Sequence, residues 1–259
     1  MEKKELLKEN KILKAKLAFI EEKLRNIENE NEKQIDIKNA EFDDFVYIIS
    51  HDLNEPIRTI NSFVEIIKEE YHDSNDKKLG TYFYFIEDAI KRLNTKMKSL
   101  LDFSRLGKNQ TLELTDINET IDSIKIELSD LIKKNNASIV YSDLPIVNCY
   151  SSEIKQVLLN LILNSIKFKQ PKNSLLIEIS CISKPSFWEF CVKDNGIGIN
   201  DNEHFEIFQM FNKLDITNSE KSNGTGLAFC KKIIEIHKGT IWVKSTLDLG
   251  VEFHFTISK

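Results

Sequence analysis

The sequence predicts an α+β chain: a long helical front, then an α/β sandwich in which one sheet carries helices on one face. Three observations predict it. The first 79 residues contain no glycine, whereas six of the eight glycines lie beyond residue 190. Apolar residues recur at helical spacing through the front and form short β-rich or alternating runs only in the back. The chain closes on two such runs, IWVKST and VEFHFTI.

The front divides by periodicity. Leu6, Leu13, Ile20 and Ile27 recur every seven residues, Leu17 and Leu24 occupy the complementary position, and Asn10 and Asn31 interrupt the seam where a polar residue sets register. Residues 1–41 are therefore read as a parallel dimeric coiled coil. A helix follows over 42–71, with Phe42, Phe45, Ile49, Leu53, Pro56, Ile60, Val64 and Ile67 within about 45–60° of one line. His51 projects to roughly the opposite side, toward solvent. Pro56 removes a backbone donor and frees the Asp52 carbonyl, so a kink is expected just after the histidine. A turn-like HDSNDKKLG leads into a second amphipathic helix, Tyr82, Ile86, Ala89, Leu93, Met97, Leu100 and Ser104, with Gly107 as C-cap. Two such helices alone make a thin core, and a dimer placing four of them together would bury both stripes. Residues 42–107 are thus one domain, 108–114 a hinge, and 115–259 a second domain.

The second domain reads as helix 117–135, strand 138–142, helix 152–168, strands 174–182 and 187–194, a glycine loop, helix 226–237, and strands 240–246 and 251–257. The chain is 41% hydrophobic and 30% charged, with a net charge of −5, which disfavours nucleic acid or an anionic membrane as main partner. It holds no apolar run long enough to span a bilayer and no signal-type leader, so it is expected to be cytoplasmic. Its four cysteines, Cys149, Cys181, Cys191 and Cys230, form no C-x-x-C pair and no metal-like cluster with histidine, and read as reduced, mostly buried thiols.

Three stretches carry chemistry. The helix SEIKQVLLNLILNSIKF is apolar around nearly its whole circumference, except for a narrow stripe of Gln156, Asn160, Asn164 and Lys167. Such a stripe supplies oxygen ligands for a divalent cation and a cation for phosphate, or else an internal polar network. A strand then delivers Asp194 into the glycine turn of VKDNGIGI, where a carboxylate can accept an exocyclic amine and glycines let a flat ring approach the backbone. In SNGTGLAFCKKIIEIHKG, Gly224, Thr225 and Gly226 open a helix whose N-terminal N–H groups suit a polyphosphate.

In this order and spacing the chain resembles a sensor histidine kinase of a two-component system, from residue 42 to the C-terminus. QVLLNLILNSIKF is similar to the N box of the Bergerat-type ATP-binding domain shared by gyrase, Hsp90, histidine kinases and MutL. DNGIGI is similar to its first glycine box, IFQMF to its F box and NGTGLA to its second glycine box. FVYIISHDLNEPIRTI resembles the H box of the bacteriophytochrome-like subgroup, and LLDFSRL the end of the second dimerisation helix.

The resemblance implies roles. His51 would be the phosphoacceptor and Asp52 the group that polarises it. Asn164 would ligate Mg²⁺, with Asn160 beside it and Lys167 on a phosphate. Asp194 would bind the adenine amine of ATP, with Gly196 and Gly198 shaping its turn. Phe208 and Phe211 would anchor a lid, and Lys213 would reach the phosphates. Gly224 and Gly226 would cradle them, with Thr225 and Leu227 in the same binding loop. The expected protein is a homodimeric autokinase that passes the phosphoryl group to an aspartate on a response-regulator receiver domain.

Hydrolytic relatives carry a water-activating glutamate where this chain has Asn160, which favours a kinase over an ATPase. Glu55 departs from the usual Thr or Asn, Ser222 from the first glycine of its box, and Tyr150 from a commonly acidic position; Ser151 or Ser152 is expected to cap the helix instead. A module that only dimerises and docks, or an ATPase that leaves His51 untouched, are the rival readings of the same residues.

Overall fold

The computed structural model describes residues 57–69, 80–108, 110–171, 173–212 and 224–259, with Lys14, Leu17, Lys23, Leu53 and the backbone of 77–79. The expected coiled coil and the kink at Pro56 lie outside the described residues, apart from Lys14, Leu17 and Lys23, which are helical and exposed. The chain divides into two compact units, Met1–Ile90 and Lys91–Lys259.

In the first unit, helix α1 covers 57–69 and α2 begins at Lys77, running on to Ser104. Lys68 of α1 reaches Glu87 of α2 at 2.7 Å. Ile57 and Val64 on α1, and Phe83 and Ile90 on α2, are buried. Ile60, Phe63 and Ile67, about 60–120° further round α1, are exposed, as are Tyr82 and Ile86 on α2. What the spacing presents as one apolar stripe per helix is therefore two adjoining ones, and within the single chain only one of each pair is covered.

The second unit adds β1 (Glu113–Asp116), α3 (Ile117–Glu127), α4 (Ser129–Lys134), β2 (Ala137–Tyr141), β3 (Ile146–Cys149), α5 (Ser151–Lys167), β4 (Leu175–Ser183), β5 (Phe187–Asp194), α6 (Gly226–Ile236), β6 (Ile241–Thr246) and β7 (Gly250–Ser258). The main sheet has the order β2-β4-β5-β7-β6, parallel only between β2 and β4. Side chains alternate as a one-sided sheet requires: Leu175, Ile177 and Ile179 are buried and Leu176, Glu178 and Ser180 exposed. The buried face meets Ile121 and Ile124 of α3, Leu158, Leu161 and Ile162 of α5 and Ile233 and Ile234 of α6, with Phe190 and Phe255 stacked at 5.0 Å in the middle.

Two features differ from expectation. The helix expected at 117–135 bends at Leu128 into α3 and α4, although the i to i−4 bonds from Leu128 to Ile124 and from Ile132 to Leu128 persist. A second sheet pairs β1 with β3, four residues each and too short and mixed (ELTD, IVNC) to stand out by pattern.

The start of α5 is also held differently from expectation. Neither Ser151 nor Ser152 caps it: the helix begins at Ser151, and its N-cap Tyr150 makes no side-chain cap bond. Instead the Tyr150 N–H donates to His237 Nε2 at 3.0 Å, while His237 Nδ1 donates to the Ile233 carbonyl at 2.7 Å. An imidazole that accepts at one nitrogen and donates at the other is neutral. His237 therefore joins the end of α6 to the start of α5 as a bridge. Nearby, buried Glu153 accepts from the Gly107 N–H at 2.6 Å and from Gln110 Nε2 at 3.0 Å, tying the segment after α2 to α5.

Gly250 opens β7 with φ +102°, and a methyl there would run into the Asp194 carbonyl. Gly250→Ala is expected to lower stability by about 3 kcal/mol or more. Urea unfolding followed by tryptophan fluorescence would measure it; a midpoint equal to the parent's would contradict the close approach.

Candidate functional site

The site forms where α5, the end of β5 and the start of α6 converge. Antiparallel pairing with β4 and β7 carries β5 through the centre of the sheet and delivers Asp194, its last residue, to the mouth of the core. The carboxylate is only 6% exposed. Its Oδ2 accepts from the Ser165 hydroxyl at 2.7 Å, and its Oδ1 from the backbone N–H groups of Gly196 at 2.9 Å and Val251 at 3.3 Å. Burial pushes this carboxyl above the usual carboxylate range, and the three donors, Ser165 foremost, pull partly against that. A buried carboxylate with oxygen lone pairs left over is a selective acceptor for an N–H donor.

The glycine turn is pinned from both sides. The Ile197 N–H donates to the Phe168 carbonyl at 3.0 Å, and Asp248 N–H to the Ile197 carbonyl at 2.8 Å. Gln170 Nε2 donates to the carbonyls of Gly196 and Asp248, at 3.2 and 2.7 Å. Ile199 N–H reaches Ser245 Oγ at 2.8 Å, and Gly196 and Gly198 are both buried. Ser165, Gln170 and Ser245 escape a reading from the sequence. The one available signal is Ser165, a small hydroxyl on the apolar side of α5.

Asn160, Asn164 and Lys167 are all half-buried on α5. Asn160 Nδ2 donates to the Gly226 carbonyl at 3.2 Å, which joins the polar stripe to the first turn of α6. No hydrogen bond links the Asn164 amide to another described residue. Lys167 Nζ lies 4.5 Å from the centre of the Phe168 ring. Thr225 is the N-cap of α6 without a side-chain cap bond, so the first N–H groups of that helix are left to other acceptors. A methyl on Gly226 would meet only Asn160 at an ordinary 3.6 Å. Leu227 packs against the core.

Phe208 closes a short 3₁₀ turn, Glu206–Phe208, and sits edge-on to Phe253 at 6.4 Å. Phe211 adopts φ +64° and donates its N–H to the Gly224 carbonyl at 2.7 Å. Gly224 itself has φ +66°, a conformation that glycine adopts without strain. The two ends of the intervening loop therefore meet at this one bond. Lys213 and Ser222 lie outside the described residues, as do His51, Asp52 and Glu55. The structure thus joins Asp194 to α5 through Ser165, and α5 to the start of α6 through Asn160.

Residues 43–109 match the His Kinase A (phospho-acceptor) domain, and residues 149–259 the histidine kinase-, DNA gyrase B-, and HSP90-like ATPase. The chain is 34% identical over 220 residues to cyanobacterial phytochrome A of Nostoc sp., covering 85% of this chain and 29% of that protein. It spans about three tenths of the length of the phytochromes it matches. Among solved structures, histidine kinase ThkA in complex with response regulator protein TrrA shares 28% identity at a TM-score of 0.53, covering 82% of this chain and 60% of that one. Full-length ShkA in complex with AMPPNP shares the fold, with 20% identity and a TM-score of 0.59 over 82% of this chain and 45% of that one.

Because folding raises the Asp194 pKa, its ionised form costs stability: the cost is absent below the unfolded carboxyl's pKa and grows as the pH rises through the folded value. Asp194→Asn is therefore expected to unfold at an equal or higher temperature than the parent at pH 7–8. Scanning calorimetry from pH 4 to 8 should show that difference shrinking toward acid; a difference growing toward acid would reverse the sign.

Proposed function

The chain belongs to the sensor histidine kinases, carrying their phosphoacceptor domain before their ATPase-type domain, and on that premise we propose that it binds Mg-ATP in the second domain and transfers the γ-phosphoryl group to His51. The observation that carries the reading is the Asp194 carboxylate, buried and held by the Ser165 hydroxyl of α5 and two backbone N–H groups.

In this reading Asp194 accepts the exocyclic amine of adenine, and the pinned turn at Gly196 and Gly198 gives the ring a rigid floor. The N–H groups of α6, opened by Gly224, Thr225, Gly226 and Leu227, take phosphate oxygens, which the positive end of the helix favours. Lys167 and Lys213 add positive charge there, and Phe208 and Phe211 hold the loop that covers the nucleotide. Asn164 is the protein ligand that suits Mg²⁺: its amide is on the same face as Asn160 and is not committed to a described residue. Bound Mg²⁺ supplies charge neutralisation on the phosphates.

Transfer then consists of positioning. A nitrogen of neutral His51 attacks the γ-phosphorus, the N–P bond forms as the bond to the bridging oxygen breaks, and ADP leaves. Asp52 holds the proton on the other ring nitrogen. Asn160 cannot act as a base toward water, and its amide is engaged with Gly226, which favours transfer over hydrolysis. ThkA was solved with a response regulator, and a receiver aspartate is the acceptor we assign to phosphorylated His51.

The exposed arcs Ile60, Phe63 and Ile67 on α1, and Tyr82 and Ile86 on α2, support a homodimer in which two hairpins form a four-helix bundle. Among the described residues no helix is long and apolar enough to cross a membrane, which is compatible with the cytoplasmic site we assign.

Incubation with γ-labelled ATP and Mg²⁺ should give acid-labile, base-stable label that His51→Gln removes and His72→Gln retains. Gly226→Ala, which meets only Asn160 at ordinary contact distance, should fold as the parent does and yet label at least about tenfold more slowly. Label on serine or threonine, or label that survives His51→Gln, contradicts the proposal.

A further inference from the structure

The face of the main sheet opposite the helices carries a cluster that no part of the nucleotide chemistry uses. On β5, Phe190 and Val192 point into the core, so Glu189, Cys191 and Lys193 point the other way. On β7 the same alternation turns Glu252 and His254 outward, away from Phe253 and Phe255. Register places Cys191 directly opposite His254, and His254 directly opposite Trp242 of β6. Residues 63 positions apart, with no motif spacing to announce them, therefore become neighbours.

The geometry is that of ligands around one point. Cys191 Sγ lies 3.9 Å from His254 Nε2, and Glu252 Oε2 lies 3.4 Å from the same nitrogen. All three donor atoms are within 4.8 Å of one another. Ligands of a tetrahedral zinc ion, at about 2.0–2.3 Å from the metal, stand roughly 3.3–3.6 Å apart. The nitrogen–carboxylate separation already fits, and the sulfur–nitrogen one needs a shift of a few tenths of an ångström.

The imidazole is also set for the task. His254 is 9% exposed, and the Trp242 ring stacks on it at 5.2 Å with 5° between the planes. Its Nδ1 is buried without a hydrogen-bond partner, yet Glu189 Oε1 waits 3.7 Å away. A carboxylate behind the far nitrogen of a metal-bound histidine is the usual device for fixing its tautomer and orientation. The charges around the site are mixed. Lys193 holds the other oxygen of Glu252 at 2.8 Å, and Lys244 lies opposite Glu252 on β6. These two cations face the two carboxylates and the thiol, and they moderate the affinity.

We propose that Cys191, Glu252 and His254 form a binding site for a divalent transition ion of zinc type, with Glu189 as the residue that positions His254. The ion is held as Sγ thiolate, carboxylate Oε2 and imidazole Nε2, with a fourth position open to water. Binding releases the thiol proton to solvent. Neither Asp194 nor α5 takes part, so the site and the nucleotide pocket stand or fall separately.

Cobalt(II) reports on it directly, because a thiolate ligand gives a near-ultraviolet charge-transfer band. Titrating the full chain with cobalt should produce that band, and zinc should bleach it. Cys191→Ser should abolish it. Cys181→Ser should leave it unchanged, since Cys181 is paired with Phe190 and packs against the core. Glu189→Gln, which touches no metal, should retain the band and weaken cobalt binding about 10–100-fold. Zinc should raise the thermal midpoint of the parent but not that of Cys191→Ser, with far-ultraviolet circular dichroism confirming that both are folded. If Cys191→Ser does not fold, His254→Asn replaces it with the same expectation. Absence of a thiolate band in the parent, or an equal band in a folded Cys191→Ser or His254→Asn, overturns the site.

Discussion

A carboxylate withdrawn from water at the end of a central strand organises much of the second unit. Asp194 joins three parts of the chain at once: the Ser165 hydroxyl from α5, the Gly196 N–H from its own turn and the Val251 N–H from β7. Burying an ion without a countercharge is expensive, and hydrogen bonds to the charged form recover part of that cost. A domain optimised only for stability would carry an apolar residue there. Keeping the acid makes sense when a ligand donates to it, and the pinned turn around it, from Phe168 and Gln170 to Ser245 and Asp248, keeps its oxygens in one orientation.

The rest of the pocket follows from what α5 must do at the same time. Its apolar faces fill the space between α3, α6 and the sheet, which leaves one narrow line for polar side chains. Asn160 and Asn164 occupy that line, and Asn160 is fastened to α6 at Gly226. The start of α6 and Asp194 are consequently both tied to α5. Beyond this, the Phe211 N–H to Gly224 carbonyl bond joins the F-box segment to the residue that precedes Thr225, the N-cap of α6.

Much of this could be read from the residue pattern, for identifiable reasons. Strong periodicity marked α5, α6 and the strands of the main sheet, because each buries a continuous face. The glycine boxes marked the turns, because backbone approach there excludes a side chain. Signals shorter than about five residues escaped, as β1 and β3 did, since pairing and not composition makes them strands. Pairwise relations across the sheet escaped as well. Nothing in the spacing of Cys191, Glu252 and His254 joins them until β5 and β7 align, and the cysteines had read as reduced thiols outside any metal-like cluster with histidine. The bridge that His237 makes between Tyr150 and Ile233 escaped likewise, because α5 and α6 are joined only in the fold. The amphipathic hairpin read as one stripe per helix because a sequence pattern does not distinguish an apolar face covered within the chain from one left exposed.

The account depends most on Asp194 recognising an amine. Titration calorimetry of the Mg²⁺-loaded full chain with ATP and with inosine triphosphate, which carries an oxygen where adenine has its amine, tests that alone. Loss of a buried hydrogen bond to a charged group predicts binding about 10- to 150-fold weaker for the inosine nucleotide. Equal affinities, or no uptake of either by folded protein, would contradict it.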